Sequence, residues 1–251
     1  MNNRKGFTAI ILIISIVLIP QCIFAQPELG DFGLIFNTEG NPQATVGTIR
    51  LLIFLTVLTL APSFLILTTC FTRIAVVLSF LRNALGTQQS PPNQLLLGLA
   101  LFLTFFVMQP VYSQVMKEAV TPFLEEEITQ EEAIDIAVVP MKEFMLKQTR
   151  EKDLALFLRA SNSENVQEPM DLSITTIIPA FAISELKKAF SIGFIIYIPF
   201  LVIDMVVASI LMSMGMFMLP PVMISLPFKI LLFVLVDGWY LVVESLLKSF
   251  V

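Results

Sequence analysis

The sequence predicts an all-α membrane protein: two hydrophobic helical hairpins around an extracytoplasmic helical insert. Mean hydropathy is +0.85. Hydrophobic residues make up 56% of the 251 positions and charged residues 14%, whereas soluble domains keep roughly a quarter of their residues charged. Long apolar runs reach the ~20 residues that cross a hydrocarbon core, and an acidic stretch separates the first pair of runs from the second.

Residues 1–25 read as a secretory signal peptide. Arg4 and Lys5 precede an apolar run over 7–19, Pro20 breaks it, and the Ala25–Gln26 junction is the expected cleavage point. Ile23 is larger than the small residue usual at that position, so an uncleaved anchor is the competing reading. Residues 26–48 form an extracytoplasmic N-terminal segment rich in Gly, Pro, Asn and Thr, anchored by Phe32, Ile35 and Phe36.

The first hairpin spans 49–115, with helices expected over 49–81 and 93–115. Gly86 suits a helix end, while Ser90 and Pro91 suit an N-cap and a first turn. Arg73 and Arg82 lie near the turn without an accompanying acid, which places it on the cytoplasmic side. The insert, 116–173, carries Glu125, Glu126, Glu127, Glu131, Glu132 and Asp135, a run that reads most simply as a solvated loop. Within it, Met141, Phe144, Met145, Leu154, Phe157 and Leu158 recur at helical spacing, predicting one amphipathic helix over 141–160. A polar linker follows over 162–171.

The second hairpin, 174–251, is expected to run to Met218 with kinks at Pro179 and Pro199, then to return over 226–250. Residues 205–228 carry no charge and hold Met212, Met214, Met216 and Met218 at the apex. Repeated flexible thioethers on a turn make a deformable apolar surface. The arms carry charges costing at least about 2.5 to 3.5 kcal/mol each at membrane depth: Asp204, Lys229, Asp237 and Glu244; Glu185 sits at the outer start of the hairpin helix, on one face with Lys188. On a continuous helix Asp237 and Glu244 share a face, with Lys229 about 80° away. Either these charges pair to fix packing, within or between subunits, or they relay protons.

Several functions are excluded by what is missing. The chain has no histidine, and its two cysteines are Cys22 and Cys70, so neither a metal site of ordinary type nor a disulfide framework is expected. Cys70 reads as a small apolar residue in a helix. No phosphate loop, dinucleotide fingerprint or nucleophile elbow occurs, so no enzymatic activity and no cofactor are expected. Basic patches interleaved with aromatics are absent too, so nucleic acid is not an expected partner.

The blocks at 73–111, 179–194 (PAFAISELKKAFSIGF), 199–221 (PFLVIDMVVASILMSMGMFMLPP) and 226–241 (LPFKILLFVLVDGWYL) closely resemble the FliP family of the bacterial flagellar export apparatus. The chain departs from the family at Phe217, where members commonly carry the middle one of three methionines. The resemblance implies a homo-oligomer that assembles with FliQ-like and FliR-like subunits and other export-apparatus membrane proteins. It implies a multi-pass protein of the inner (cell) membrane and flagellar basal body, in contact with lipid, that passes unfolded flagellar subunits. It also implies that Met214, Met216, Phe217 and Met218 seal a pore and that Glu185 and Lys229 join neighbouring subunits. An injectisome export-gate subunit and a proton-coupled transporter or ion channel using Asp204 and Asp237 are the alternatives.

Overall fold

A computed structural model describes residues 42–87, 89–161 and 168–250. The expected signal peptide, the Ala25–Gln26 junction, the segment up to residue 41 and residues 162–167 of the linker lie outside the described residues. Every described element is helical, and no strand occurs among the described residues.

The elements are α1 (Pro42–Thr68), α2 (Phe71–Leu85), α3 (Asn93–Val115), α4 (Thr121–Leu124), α5 (Gln130–Gln148), α6 (Glu151–Ala160), α7 (Ile174–Ser213), α8 (Pro221–Leu235) and α9 (Gly238–Lys248). A π-turn over Met116–Val120 joins α3 to α4. Among the described residues three stretches are long and apolar enough to cross a membrane: Ile49–Thr68, Asn93–Leu124 and Ile174–Ser213. The pair α8–α9, bent by 64°, makes a fourth if counted as one span.

The chain divides into two compact units, Met1–Leu60 and Ala61–Val251. The described part of the first is helix, and its described side chains are exposed. In the second, α2 and the Cys70 that precedes it are the centre of the core: Cys70, Ile74, Val77, Leu78, Leu81, Ala84 and Leu85 are all buried. Packed on them are Leu96, Ala100 and Met108 of α3, Ala189 and Phe200 of α7, and Leu246 of α9. A smaller cluster joins Met145 of α5 to Leu172 and to Ile177 and Phe181 of α7. Each expected hairpin is represented by a packed pair, α2 on α3 and α7 on α8, and α2 packs most extensively on α7.

Several expected elements are divided. The helix expected over 49–81 breaks at Thr69–Cys70. There Thr68 and Thr69 hydroxyls donate to carbonyls four residues back, at 2.8 and 2.6 Å, and Thr72 donates to Ile66 O at 2.8 Å, the local competition by which threonine loosens a helix. Cys70 is fully buried at this break rather than inside a helix. Gly86 does end α2, at φ 74°. Helix α3 starts at Asn93, after Pro92, so Ser90 and Pro91 fall short of the cap and first turn.

The helix expected over 141–160 is two. α5 begins eleven residues earlier, at Gln130, because Thr129 and Glu132 form a reciprocal capping box. Glu131 and Glu132 therefore sit in its first turn, where acids complement the helix dipole, and Asp135 in its second, not in a loop. The return helix expected over 226–250 starts at Pro221 and breaks at Asp237, which adopts φ 51°, ψ 55°. Gly238 is required beside it, because a Cβ there would lie 2.2 Å from Cδ2 of Phe233.

Candidate functional site

The apex between α7 and α8 is a capped turn with an apolar surface. α7 stops at Ser213, five residues before the expected end, and closes in a Schellman pattern. Met216 N donates to Leu211 O at 3.0 Å and Gly215 N to Met212 O at 3.1 Å, with Gly215 at φ 78°, the left-handed conformation that favours glycine. Pro221 occupies the first turn of α8, where its missing N–H costs nothing. Between these caps the side chains point away from the chain's own core: Met214 is 66% exposed, Met216 39%, Phe217 78% and Met218 95%.

Behind the apex a charge brace joins the two arms. Lys229 Nζ meets Asp204 Oδ2 at 2.6 Å and donates to Ala84 O at 3.2 Å, while Ser225 Oγ donates to Asp204 Oδ1. Lys229 is buried and Asp204 half-buried. The ammonium group thus serves the carboxylate of α7 and a terminal carbonyl of α2, where a cation is favoured by the helix dipole. Asp237 and Glu244 do not join this brace. Asp237 is exposed at the break, so helical spacing no longer relates it to Glu244, which pairs with Lys248 at 2.7 Å.

A second buried centre surrounds Arg73. Its Nε donates to Glu185 Oε2 at 2.9 Å and its Nη2 to Glu185 Oε1, in a pair with no solvent exposure on either side chain. Nη2 also reaches Gln148 Oε1 at 2.9 Å, and Nη1 reaches the carbonyl and hydroxyl of Ser249 at 2.8 and 3.0 Å. The guanidinium lies 3.9 Å from the Phe250 ring centroid. One cation so ties α2, α5, α7 and the segment after α9. Arg73 lies in the first turn of α2, at the end away from the turn at Gly86, and is fully buried, so it is not a charge flanking that turn. Glu185 and Lys229, expected between neighbours, each have a partner inside the chain.

The insert is pinned by a third network. Arg150 Nε and Nη2 clasp Asp153 at 2.8 and 2.9 Å; Ser184 Oγ donates to Asp153 at 2.6 Å and accepts from Arg150 N at 3.1 Å. Burial pushes the Asp153 carboxyl upward, but the Ser184 and Arg150 hydrogen bonds and the Arg150 charge outweigh it and hold the group below the usual aspartate range.

Comparison with known proteins adds a decisive observation: the profile of the FliP family matches residues 54–246. The chain belongs to the FliP family. It is 60% identical to the flagellar biosynthetic protein FliP of Bacillus subtilis (strain 168), an alignment covering 88% of this chain and 100% of that one. The FliP of Pectobacterium carotovorum subsp. carotovorum is 56% identical over 83% of this chain and 81% of its own. That of Aquifex aeolicus (strain VF5) is 54% identical over 84% and 88%.

The FliP match includes the apex, the Asp204–Lys229 brace and both members of the Arg73–Glu185 pair, and stops short of Ser249 and Phe250. Sequence reasoning missed Gln148 and Ser249 as partners of Arg73. The available signal was Arg73 itself, flanked by the apolar run that continues through Ile74, Ala75, Val76, Val77 and Leu78. A cation so placed needs several acceptors brought from elsewhere.

Proposed function

We propose that this chain is a pore-forming structural subunit of the flagellar type III protein export gate, and not an enzyme. It passes unfolded flagellar subunits across the inner membrane at the flagellar basal body. Copies assemble with FliQ-like and FliR-like subunits and with other membrane proteins of the export apparatus. The reading rests on membership of a family whose relatives are named flagellar biosynthetic proteins, and on a flagellar export-apparatus role for the chain that follows from it. The observation that carries the pore is the apex, where four large apolar side chains stand exposed on a doubly capped turn.

A gate wide enough for an unfolded chain must still hold back ions. Thioethers from several copies can meet around an axis when idle and fold back along a passing chain, because methionine contacts are weakly directional and its side chain has three rotatable bonds. Phe217 is stiffer and closes the ring more firmly. The brace behind the apex fixes the angle at which the turn is presented.

The test replaces Met216, Phe217 and Met218 together by Gly in cells lacking the wild-type protein. The assembled complex is expected at wild-type yield while the cells leak small ions; Phe217→Met is expected to be tolerated. An assembled triple variant that leaks nothing would sink the seal.

A further inference from the structure

On the flank of α7, away from the apex and its brace, four cationic side chains line one pocket of about 240 Å3: Arg73, Arg150, Lys187 and Lys188, beside Ser191 and Ser249. The carboxylates facing them are Glu185 and Asp153, each held by two hydrogen bonds from one arginine. Four cations against two carboxylates leave two positive charges uncompensated.

The donor inventory says which groups are free to bind. Arg73 is spent: its five N–H groups serve Glu185, Gln148 and Ser249, so it contributes charge and no free donor. The serine hydroxyls are spent as well, Ser191 on Lys187 O and Ser249 on Leu246 O. Lys188 gives one of its three protons to Gln148. Lys187 has no side-chain partner among the described residues, and Nη1 of Arg150 has none either. The pocket therefore offers several unspent N–H donors around a fixed buried guanidinium, an arrangement matched by a group with several anionic oxygens.

The surface beside it says what that group is attached to. On α7 the face bearing Lys187 and Ser191 continues through Phe194, Ile195, Ile198 and Val202, which are 65%, 66%, 44% and 52% exposed. From Lys187 to Val202 the helix rises about 22 Å at 1.5 Å per residue, more than the ~15 Å of one hydrocarbon leaflet. We propose that this pocket binds the phosphate of an anionic phospholipid whose acyl chain lies along the apolar α7 face. Basic pockets at the edge of spanning helices recognise such headgroups by charge and donor geometry together.

The test uses the full chain extracted with its co-isolated subunits, and spin-labelled phosphatidylglycerol and phosphatidylcholine of equal chain length. The readout is the fraction of each lipid held immobile by the protein. Phosphatidylglycerol is expected to be preferred about fivefold for each lysine that engages it. Lys187→Glu should bring it close to phosphatidylcholine, while Lys152→Glu, the same charge change outside the pocket, should leave the preference in place. Lys187 is exposed and its side chain has no hydrogen-bond or ion-pair partner among the described residues, so its variant is expected to elute from gel filtration as the wild type does. No preference in the wild type would overturn the proposal, as would a preference retained by Lys187→Glu. Displacement of the lipid by millimolar inorganic phosphate would assign the pocket to the free ion instead. None of these outcomes depends on whether the apex seals a pore.

Discussion

Arg73 shows how much one side chain can hold when all its donors are used. A lone guanidinium without solvent exposure is tolerable only because a carboxylate, an amide oxygen, a carbonyl and a hydroxyl surround it. Removing one member of such a pair leaves the other uncompensated, at a cost of about 3 to 5 kcal/mol, whereas replacing both by apolar residues costs much less. We therefore expect Arg73→Leu and Glu185→Leu each to lower thermal stability in detergent severely, and the double variant to be more stable than the sum of the two losses predicts. Additive losses in that double-mutant cycle would show the pair to be uncoupled. Lys229 stands out in the sequence because its apolar helix offers it no water, whereas Glu185, beside Lys187 and Lys188, is singled out only by the family resemblance. Arg73 was misjudged because nearness to a turn in sequence says nothing of depth, and its acceptors come from positions 75 to 176 residues away.

At the scale of elements, the α2–α7 contact depends on one absent side chain. A Cβ on Gly193 would lie 2.6 Å from Cγ of Phe80, the root of a ring already set edge-on to Phe190 at 5.3 Å, so the ring cannot swing clear. Gly193→Ala is expected to cost about 1 to 3 kcal/mol by overpacking. Gly98→Ala on α3 meets nothing within 4 Å and is expected to be neutral or stabilising by up to about 1 kcal/mol. Thermal unfolding of the two variants in parallel decides it; equal shifts would mean the helices part freely at Gly193. Helix content and the packed pairs were readable from apolar run length and from Gly86. The breaks at Thr69–Cys70, Thr149–Arg150 and Asp237 were not, since hydropathy averages over a window and each break rests on a few local bonds. Asp237 illustrates the cost: one residue at positive φ resets the phase, and the shared face inferred for Asp237 and Glu244 disappears.

Across the whole molecule, the insert is held to α7 by the Asp153, Ser184 and Arg150 network, and this tie has a pH signature. The Asp153 pKa is depressed in the folded chain, so its contribution is fully present above the unfolded value of about 3.9. It fades as pH falls through the lower folded value. Wild-type protein should therefore lose stability on acidification below about pH 4, more steeply than Asp153→Asn, as measured by unfolding midpoints across that window. Parallel curves would remove Asp153 from the account. The Arg73 centre has a different consequence, one of timing. Its acceptors are drawn from Gln148, Glu185 and Ser249, so a ribosome that has delivered both arms of the first hairpin has delivered a cation with none of them. Glu185 arrives with α7, and the last carbonyl only when synthesis has reached position 249. The Arg73 centre therefore stays incomplete until residue 249 has been made.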